Sequence, residues 1–290
     1  MNLDLRRRFY AEELEAVCRL RSPALVDALA AVPREHFLPP GPWTVLVDVA
    51  SASGSGIQTR VTADADPARV YHNIGVAIDP SRQLFNGHPG TIAPWIDALD
   101  LAPGGRVVHV GCGLGYYTAI MAHAVGSSGG VLAFEADAVL ANGARANLQS
   151  YPQVDTRCGD ASGPIHGRFD AVLVNAGLTH PLDSWLDAVK PGGKLVLPLT
   201  ATMAAMGPTI GKGIVLLLTK QDSSDFAVRL LGFAAIYSAI GVRDAGMNDQ
   251  LGKAMMAGPM RWQGITRFRR DAHQPSESCW LHGATFCLSL

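Results

Sequence analysis

Three glycines and one acidic residue carry the chemistry most open to reading in this chain. Val107-Val108-His109-Val110-Gly111-Cys112-Gly113-Leu114-Gly115-Tyr116 reads as a buried strand running into a glycine-rich turn and then a helix. Glu135 closes the next apolar run, Val131-Leu132-Ala133-Phe134, and stands 20 residues after Gly115. In doubly wound α/β domains such glycines let the backbone approach a nucleoside-bearing cofactor, and the spaced carboxylate accepts hydrogen bonds from ribose hydroxyls. Cys112 sits inside the turn as a small residue, and nothing beside it in sequence looks like a base that would make it a nucleophile. Asn175 stands where an apolar run over 169–175 ends, at the crevice in which open α/β sheets hold ligands.

The glycine spacing selects among cofactors. A dinucleotide fingerprint, Gly-x-Gly-x-x-Gly, needs a glycine at position 116, which is Tyr116. The third glycine falls one residue early, a pattern associated with S-adenosylmethionine (SAM). A nicotinamide oxidoreductase is disfavoured for that reason. An inert scaffold is disfavoured by the intact Gly111, Gly113, Gly115 and Glu135.

Alternating elements must position these residues. Apolar spacing predicts helices over residues 3–31, broken at Ser22-Pro23. Residues 43–80 read as β-rich and irregular, with an apolar run at Val45–Val49 and a small-residue loop at Ser51–Gly56. From residue 89 a βα rhythm sets in. Helices are predicted at 91–101, 116–125, 137–149 and 181–189, and strands at 106–110, 130–134, 154–157, 169–175 and 194–199. Pro191-Gly192-Gly193 predicts a turn before the last of these strands. The pattern implies an α/β fold: a Rossmann-like, doubly wound, mostly parallel sheet with helices on both faces. Residues 213–220 and 227–236 fit an antiparallel pair ending that sheet, 247–257 a helix, and 279–290 a closing strand. Three regions are expected: a helical cap with a β-rich segment over 1–80, the cofactor domain over 81–200, and an extension over 201–290.

Composition narrows the function classes. The 290 residues include 24 basic and 25 acidic ones, a formal net charge of −1, so no basic excess argues for nucleic acid or an anionic membrane. Arg261, Arg267, Arg269 and Arg270 cluster near the C-terminus and read as a solvated surface loop. The five cysteines, Cys18, Cys112, Cys158, Cys279 and Cys287, include no C-x-x-C pair, which argues against a zinc site or a disulfide scaffold. The start of the chain shows no secretory apolar core, and no apolar run is long enough to span a bilayer, so a cytoplasmic protein is expected.

The elements follow a recognisable order: Val-Pro-Arg-Glu-His-Phe at 32–37, Asn-Ile-Gly at 73–75, His88-Pro89, Val-Gly-Cys-Gly-Leu-Gly-Tyr at 110–116, Glu135, Cys158-Gly159-Asp160, Phe169-Asp170, and Lys-Pro-Gly-Gly-Lys-Leu-Val-Leu-Pro at 190–198. This resembles the protein-L-isoaspartate O-methyltransferase family of SAM-dependent class I methyltransferases. The likeness is good over residues 10–40 and 70–200 and weak over 43–70 and the C-terminal third.

The resemblance implies methyl transfer from SAM to the free α-carboxylate of an isoaspartyl residue in a peptide or protein. It places Asp160 and the Ala161 backbone N–H at the adenine, and Tyr71 and His72 beside the substrate. The family carries Thr-Ile-Ser-Gln-Pro before the first Rossmann helix, where this chain has Phe85-Asn86-Gly87-His88-Pro89. Gly87 therefore replaces the serine that meets the substrate, leaving Asn86 and His88 as candidate carboxylate donors. Restoring the hydroxyl with Gly87→Ser is expected to raise activity on isoaspartyl peptides. The same scaffold turned to a biosynthetic peptide or small molecule is the alternative.

Overall fold

A computed structural model describes residues 2–46, 58–202, 209–222 and 224–290. The loop expected at Ser51–Gly56, and positions 47–49 of the run at Val45–Val49, lie outside the described residues. Grouped by contacts, the described residues form two compact units. The first comprises those within 1–104, 112–131 and 137–156; the second comprises those within 105–111, 132–136 and 157–290.

The chain opens with helices α1 (Leu3–Cys18) and α2 (Pro23–Ala31). The Asn2 side chain caps the first by accepting from Asp4 N, and Arg19 ends it in the left-handed region at φ 54°. Ser22 caps the second, and Pro23 takes its first turn, where no amide hydrogen is needed. Short strands β1 (Thr44–Leu46) and β2 (Thr59–Val61) pair antiparallel, as do β3 (Ala77–Asp79) and β4 (Leu84–Phe85). Helix α3 (Pro89–Ala98) follows.

The βα alternation then runs β5 (Arg106–Val110), α4 (Tyr116–Val125), β6 (Gly130–Glu135), α5 (Ala138–Asn147), β7 (Val154–Cys158), β8 (Phe169–Val174), α6 (Asp183–Ala188) and β9 (Val189–Ala201). Long strands β10 (Ile210–Lys220) and β11 (Asp225–Tyr237) come next. The chain ends with α7 (Ala245–Met256), α8 (Pro259–Gln263), β12 (Arg267–Arg269), β13 (Cys279–His282) and β14 (Cys287–Ser289). Among the described residues no helix is long and apolar enough to cross a membrane.

In the first unit α1 and α2 pack on each other, with α3 against α1 and α4 against α2. The second unit is built on a sheet ordered β13-β14-β12-β11-β10-β9-β8-β5-β6-β7; residues 130–131 and 154–156, which open β6 and β7, count with the first unit. Strands β5, β8 and β9 run parallel. Their residues Val107, Val108, Val172, Leu173, Leu195 and Val196 are all fully buried, as strands covered on both faces must be. From β9 outward the pairings are antiparallel through to the last hairpin.

Three local expectations are corrected. The turn residues Pro191-Gly192-Gly193 do not precede β9 but bulge from within it. Phe169 pairs with Val189 and Ala171 with Lys194, so the intervening residues stand opposite Asp170 alone. The closing strand over 279–290 is a hairpin, turned at Gly283, whose N–H donates to Phe286 O at 2.9 Å. The C-terminal arginines are not a solvated loop. Arg267 and Arg269 lie on β12, Arg267 is bound in a two-bonded ion pair to Asp225, and Arg270 bridges Asp183 and Asp187.

Candidate active site

In the second unit the carboxyl ends of neighbouring strands meet at one edge of the sheet. Gly111 N donates to Phe134 O, Gly159 N to Glu135 O and Asn175 N to Val110 O, each at 2.8 Å. These bonds bring Gly111, Glu135, Asp160, Ala161 and Asn175 to the exit of β5, β6, β7 and β8. Gly111 holds φ +79°, and a Cβ added there would lie 3.0 Å from the backbone oxygen of Asn175. Only glycine fits without pressing on the next strand. Asn175 reaches back with Nδ2 3.5 Å from Gly111 O.

Asp160 and Ala161 form a tight turn. Asp160 Oδ1 accepts from Ser162 N at 2.9 Å and Oγ at 2.7 Å, and these bonds hold its carboxyl below the usual carboxylate range. Its other oxygen makes none of these bonds. Ala161 is buried in the left-handed region at φ 57°, rare for a residue with a side chain, and its carbonyl accepts from Trp185 Nε1 at 2.9 Å. The indole anchors Ala161 through its carbonyl, and the candidate adenine donor is the N–H of the peptide before it.

The loop then passes into the first unit, where Gly113 and Gly115 hold φ +57° and +97°. A Cβ on Gly115 would lie 2.8 Å from Leu148 Cδ1. Gly115 caps α4, whose first backbone N–H groups have no helical partners and suit a polar ligand. Cys112 is buried, with its Sγ 3.7 Å from Gly113 O.

The first unit also holds residues 85–89, the segment expected to stand in for a substrate strip. Its organiser is Arg34, fully buried, the arginine of Val-Pro-Arg. Its guanidinium donates to Val70 O (2.6 Å), His72 O (3.0 Å), Ile74 O (2.6 Å) and Asn86 Oδ1 (3.3 Å). It therefore pins residues 70–74 and 86 together. The motif was visible in sequence; that its arginine turns inward as a hub was not.

Asn86 Oδ1 also accepts from Val76 N at 2.9 Å. Both partners are obligate donors, so the oxygen assignment is forced and the amide Nδ2 points elsewhere. That Nδ2 is buried and has no hydrogen-bond partner among the described residues. His88 caps α3 through its carbonyl, which accepts from Thr91 N and Ile92 N; its ring makes no capping bond.

Gly87 is enclosed. Tyr117 Oη donates to its carbonyl at 2.5 Å, and an added Cβ would lie 2.5 Å from Ile92 Cγ1 and 3.3 Å from Tyr117 Cε2.

Of the two substrate candidates beside Asn73, Tyr71 serves the scaffold instead. Tyr71 is buried, and its hydroxyl accepts from Arg7 Nε (2.8 Å) and Arg34 N (3.0 Å) while donating to Glu35. One donor and two lone pairs are thereby used, and nothing is left for a substrate. Burial, then the neighbouring Glu35, push this phenol above its ordinary pKa. His72 Nε2 lies 2.8 Å from Arg6 NH2, an obligate donor, so the ring accepts there as neutral imidazole; burial and the Arg6 charge push its pKa down.

Residues 58–210 match the family model described as protein-L-isoaspartate(D-aspartate) O-methyltransferase. A protein-L-isoaspartate O-methyltransferase of Methylorubrum extorquens is 32% identical over 240 residues, covering 80% of this chain and 89% of the relative. One from Methanopyrus kandleri is 28% identical over 67% of this chain and 76% of its own length. Among solved structures, a protein-L-isoaspartate O-methyltransferase superposes with TM-score 0.58 at 18% identity over 87% of this chain and 71% of that one. A Plasmodium falciparum structure described as a protein of that family, in complex with S-adenosyl-L-homocysteine, superposes with TM-score 0.58 at 17% identity, over 80% and 97%. At these identities the structural likeness speaks for the fold.

Proposed function

Because this chain belongs to the protein-L-isoaspartate O-methyltransferase family, we propose that it transfers a methyl group from SAM to a carboxylate of a peptide or protein, with an isoaspartyl α-carboxylate as the acceptor. The observation that carries the acceptor is the buried, unpartnered Nδ2 of Asn86, an amide donor held ready by Arg34 and Val76.

The residues present fit the cofactor. Gly111 turns the chain at φ +79° where any Cβ would press on Asn175, and Glu135 closes the neighbouring strand with a carboxylate suited to ribose hydroxyls. The N–H of Ala161, a residue that Trp185 anchors through its carbonyl, suits the adenine ring. SAM supplies an electrophilic methyl on a sulfonium. The acceptor carboxylate is already ionised at neutral pH, so the chain needs no strong general base. The protein's part is to bind, align and exclude water. The absence of a paired acid and base among Asn86, Gly87 and His88 agrees with that demand. Asn86 is the positioning donor, and a hydrogen bond to a charged acceptor contributes about 1.5–3 kcal/mol.

A biosynthetic peptide or small molecule is the second reading. It is favoured by Gly87, where Ile92 and Tyr117 occupy the place of the family's serine side chain.

Calorimetric titration separates the two roles. Glu135→Ala is expected to weaken SAM binding by on the order of 1–3 kcal/mol. Asn86→Asp keeps both acceptor bonds but exchanges the donor for an oxygen that repels a carboxylate. It is expected to bind SAM normally and an isoaspartyl peptide at least about tenfold more weakly. Unchanged SAM affinity in Glu135→Ala, or unchanged peptide affinity in Asn86→Asp, would remove the corresponding assignment.

A further inference from the structure

The last hairpin gathers four metal-binding side chains that the methyltransferase reading does not use. His282 and Cys287 are direct cross-strand partners in β13 and β14, so their side chains share a face. Cys279 stands three residues before His282, which in a regular strand would put it on the opposite face. The register shifts between Cys279 and Leu281, making Trp280 an extra residue. Cys279 then pairs with Ser289, two positions on from Cys287, and joins the same face. The preceding segment brings His273 Nε2 to 3.5 Å from Cys279 Sγ. One donor atom from each of His273, Cys279, His282 and Cys287 lies within 4.8 Å of all the others.

The surroundings are those of a ligand set. His273 Nδ1 lies 3.1 Å from Asp271 O and 3.4 Å from Asp271 Oδ2, which turns Nε2 toward Cys279. An outer oxygen on the far nitrogen is how metal-bound imidazoles are oriented. Ser276 N donates to Cys279 Sγ at 3.3 Å, a bond that favours thiolate. His282 Nδ1 is buried and has no hydrogen-bond partner among the described residues. The other face of the hairpin is anchored: Trp280, Leu281, Phe286 and Leu288 all belong to the apolar core.

We propose that His273, Cys279, His282 and Cys287 form a structural zinc site that fastens the two strands of the C-terminal hairpin to the segment before them. Two thiolates and two imidazoles are a donor set for Zn(II), and four protein ligands leave no open position for chemistry. Tetrahedral bonds of about 2.3 Å to sulfur and 2.0 Å to nitrogen put neighbouring donor atoms roughly 3.3–3.8 Å apart. The His273–Cys279 separation already lies in that range, and shifts of about 1 Å close the rest. Among the described residues strand β13 is the outermost of its sheet and pairs only with β14. A metal tying it to the segment at 273 would hold an edge that pairing secures on one side alone. The spacing, His-x5-Cys-x2-His-x4-Cys, contains no C-x-x-C pair, so counting cysteines predicts no metal. The bulge at Trp280 brings the ligands together.

The test is metal analysis of the full chain, purified without a histidine tag, by plasma mass spectrometry after gel filtration. One zinc per chain is expected for the unaltered protein and for Cys158→Ser, an exposed cysteine elsewhere. Less than about a tenth of an equivalent is expected for Cys279→Ser with Cys287→Ser. Should that variant fail to fold, the unaltered chain is stripped with chelator and titrated with Co(II). Tetrahedral d–d absorption with thiolate-to-metal charge transfer, saturating at one equivalent, is the expected spectrum. Chain isolated without zinc, giving no charge-transfer band with Co(II), would overturn the proposal. So would a disulfide joining Cys279 to Cys287 in the isolated protein, seen as a mass lower by two hydrogens.

Discussion

At the scale of single residues, Gly87 is the most telling position. Sequence shows that a hydroxyl is missing there. It does not show that Ile92 has moved into the space, 2.5 Å from where a Cβ would stand. Gly87→Ser alone is therefore expected to destabilise the fold by about 1–3 kcal/mol, the usual cost of overpacking, and to bring no gain in activity. Gly87→Ser with Ile92→Ala removes the obstructing Cγ1. The double variant is expected to be more stable than the two single effects predict, with a coupling of about 1 kcal/mol or more. Urea melts of the four proteins measure this; a Gly87→Ser single variant as stable as the parent would contradict it. Tyr71 carries the same lesson. Its place beside Asn-Ile-Gly was legible, but the saturation of its hydroxyl by Arg7, Arg34 and Glu35 depends on helices more than thirty residues away. Arg34 was legible as a motif and not as a buried hub, because four of its bonds go to carbonyl or amide oxygens that no pattern of side chains reveals.

At the scale of elements, strand β5 makes a pH prediction. It reads Arg-Val-Val-His-Val, and His109 at its fourth position is fully buried. Burial pushes that imidazole down to about 3, against about 6.5 in an unfolded chain. Between those values the unfolded state binds a proton that the folded state does not, so stability rises with pH across the window and falls as pH drops below about 6.5. From pH 7 to pH 5 the protein is expected to lose about 2 kcal/mol more than His109→Gln, at about 1.4 kcal/mol per pH unit per proton. Parallel stability profiles for the two proteins would contradict it. The central strands and helices were legible because burial on both faces gives continuous apolar runs and glycine punctuates their ends. The bulge at Pro191–Gly193 and the turn at Gly283 were not. Local turn chemistry was present in the sequence, but whether it ends a strand, interrupts one or folds one back is decided by the neighbouring strand.

At the scale of the whole molecule, the family was legible from the order of the motifs. The candidate cofactor residues Gly111, Glu135, Asp160, Ala161 and Asn175 are brought to adjacent strand ends. The family model stops at residue 210, and the four candidate zinc ligands lie beyond it. Isoaspartyl methylation is the central claim, and labelled SAM tests it directly. The protein is incubated with an isoaspartyl peptide and, separately, with its aspartyl twin. Base-labile label on the isoaspartyl peptide alone is the predicted result. Label on neither peptide, with SAM binding confirmed in the same preparation, would contradict the account and turn the search to another acceptor.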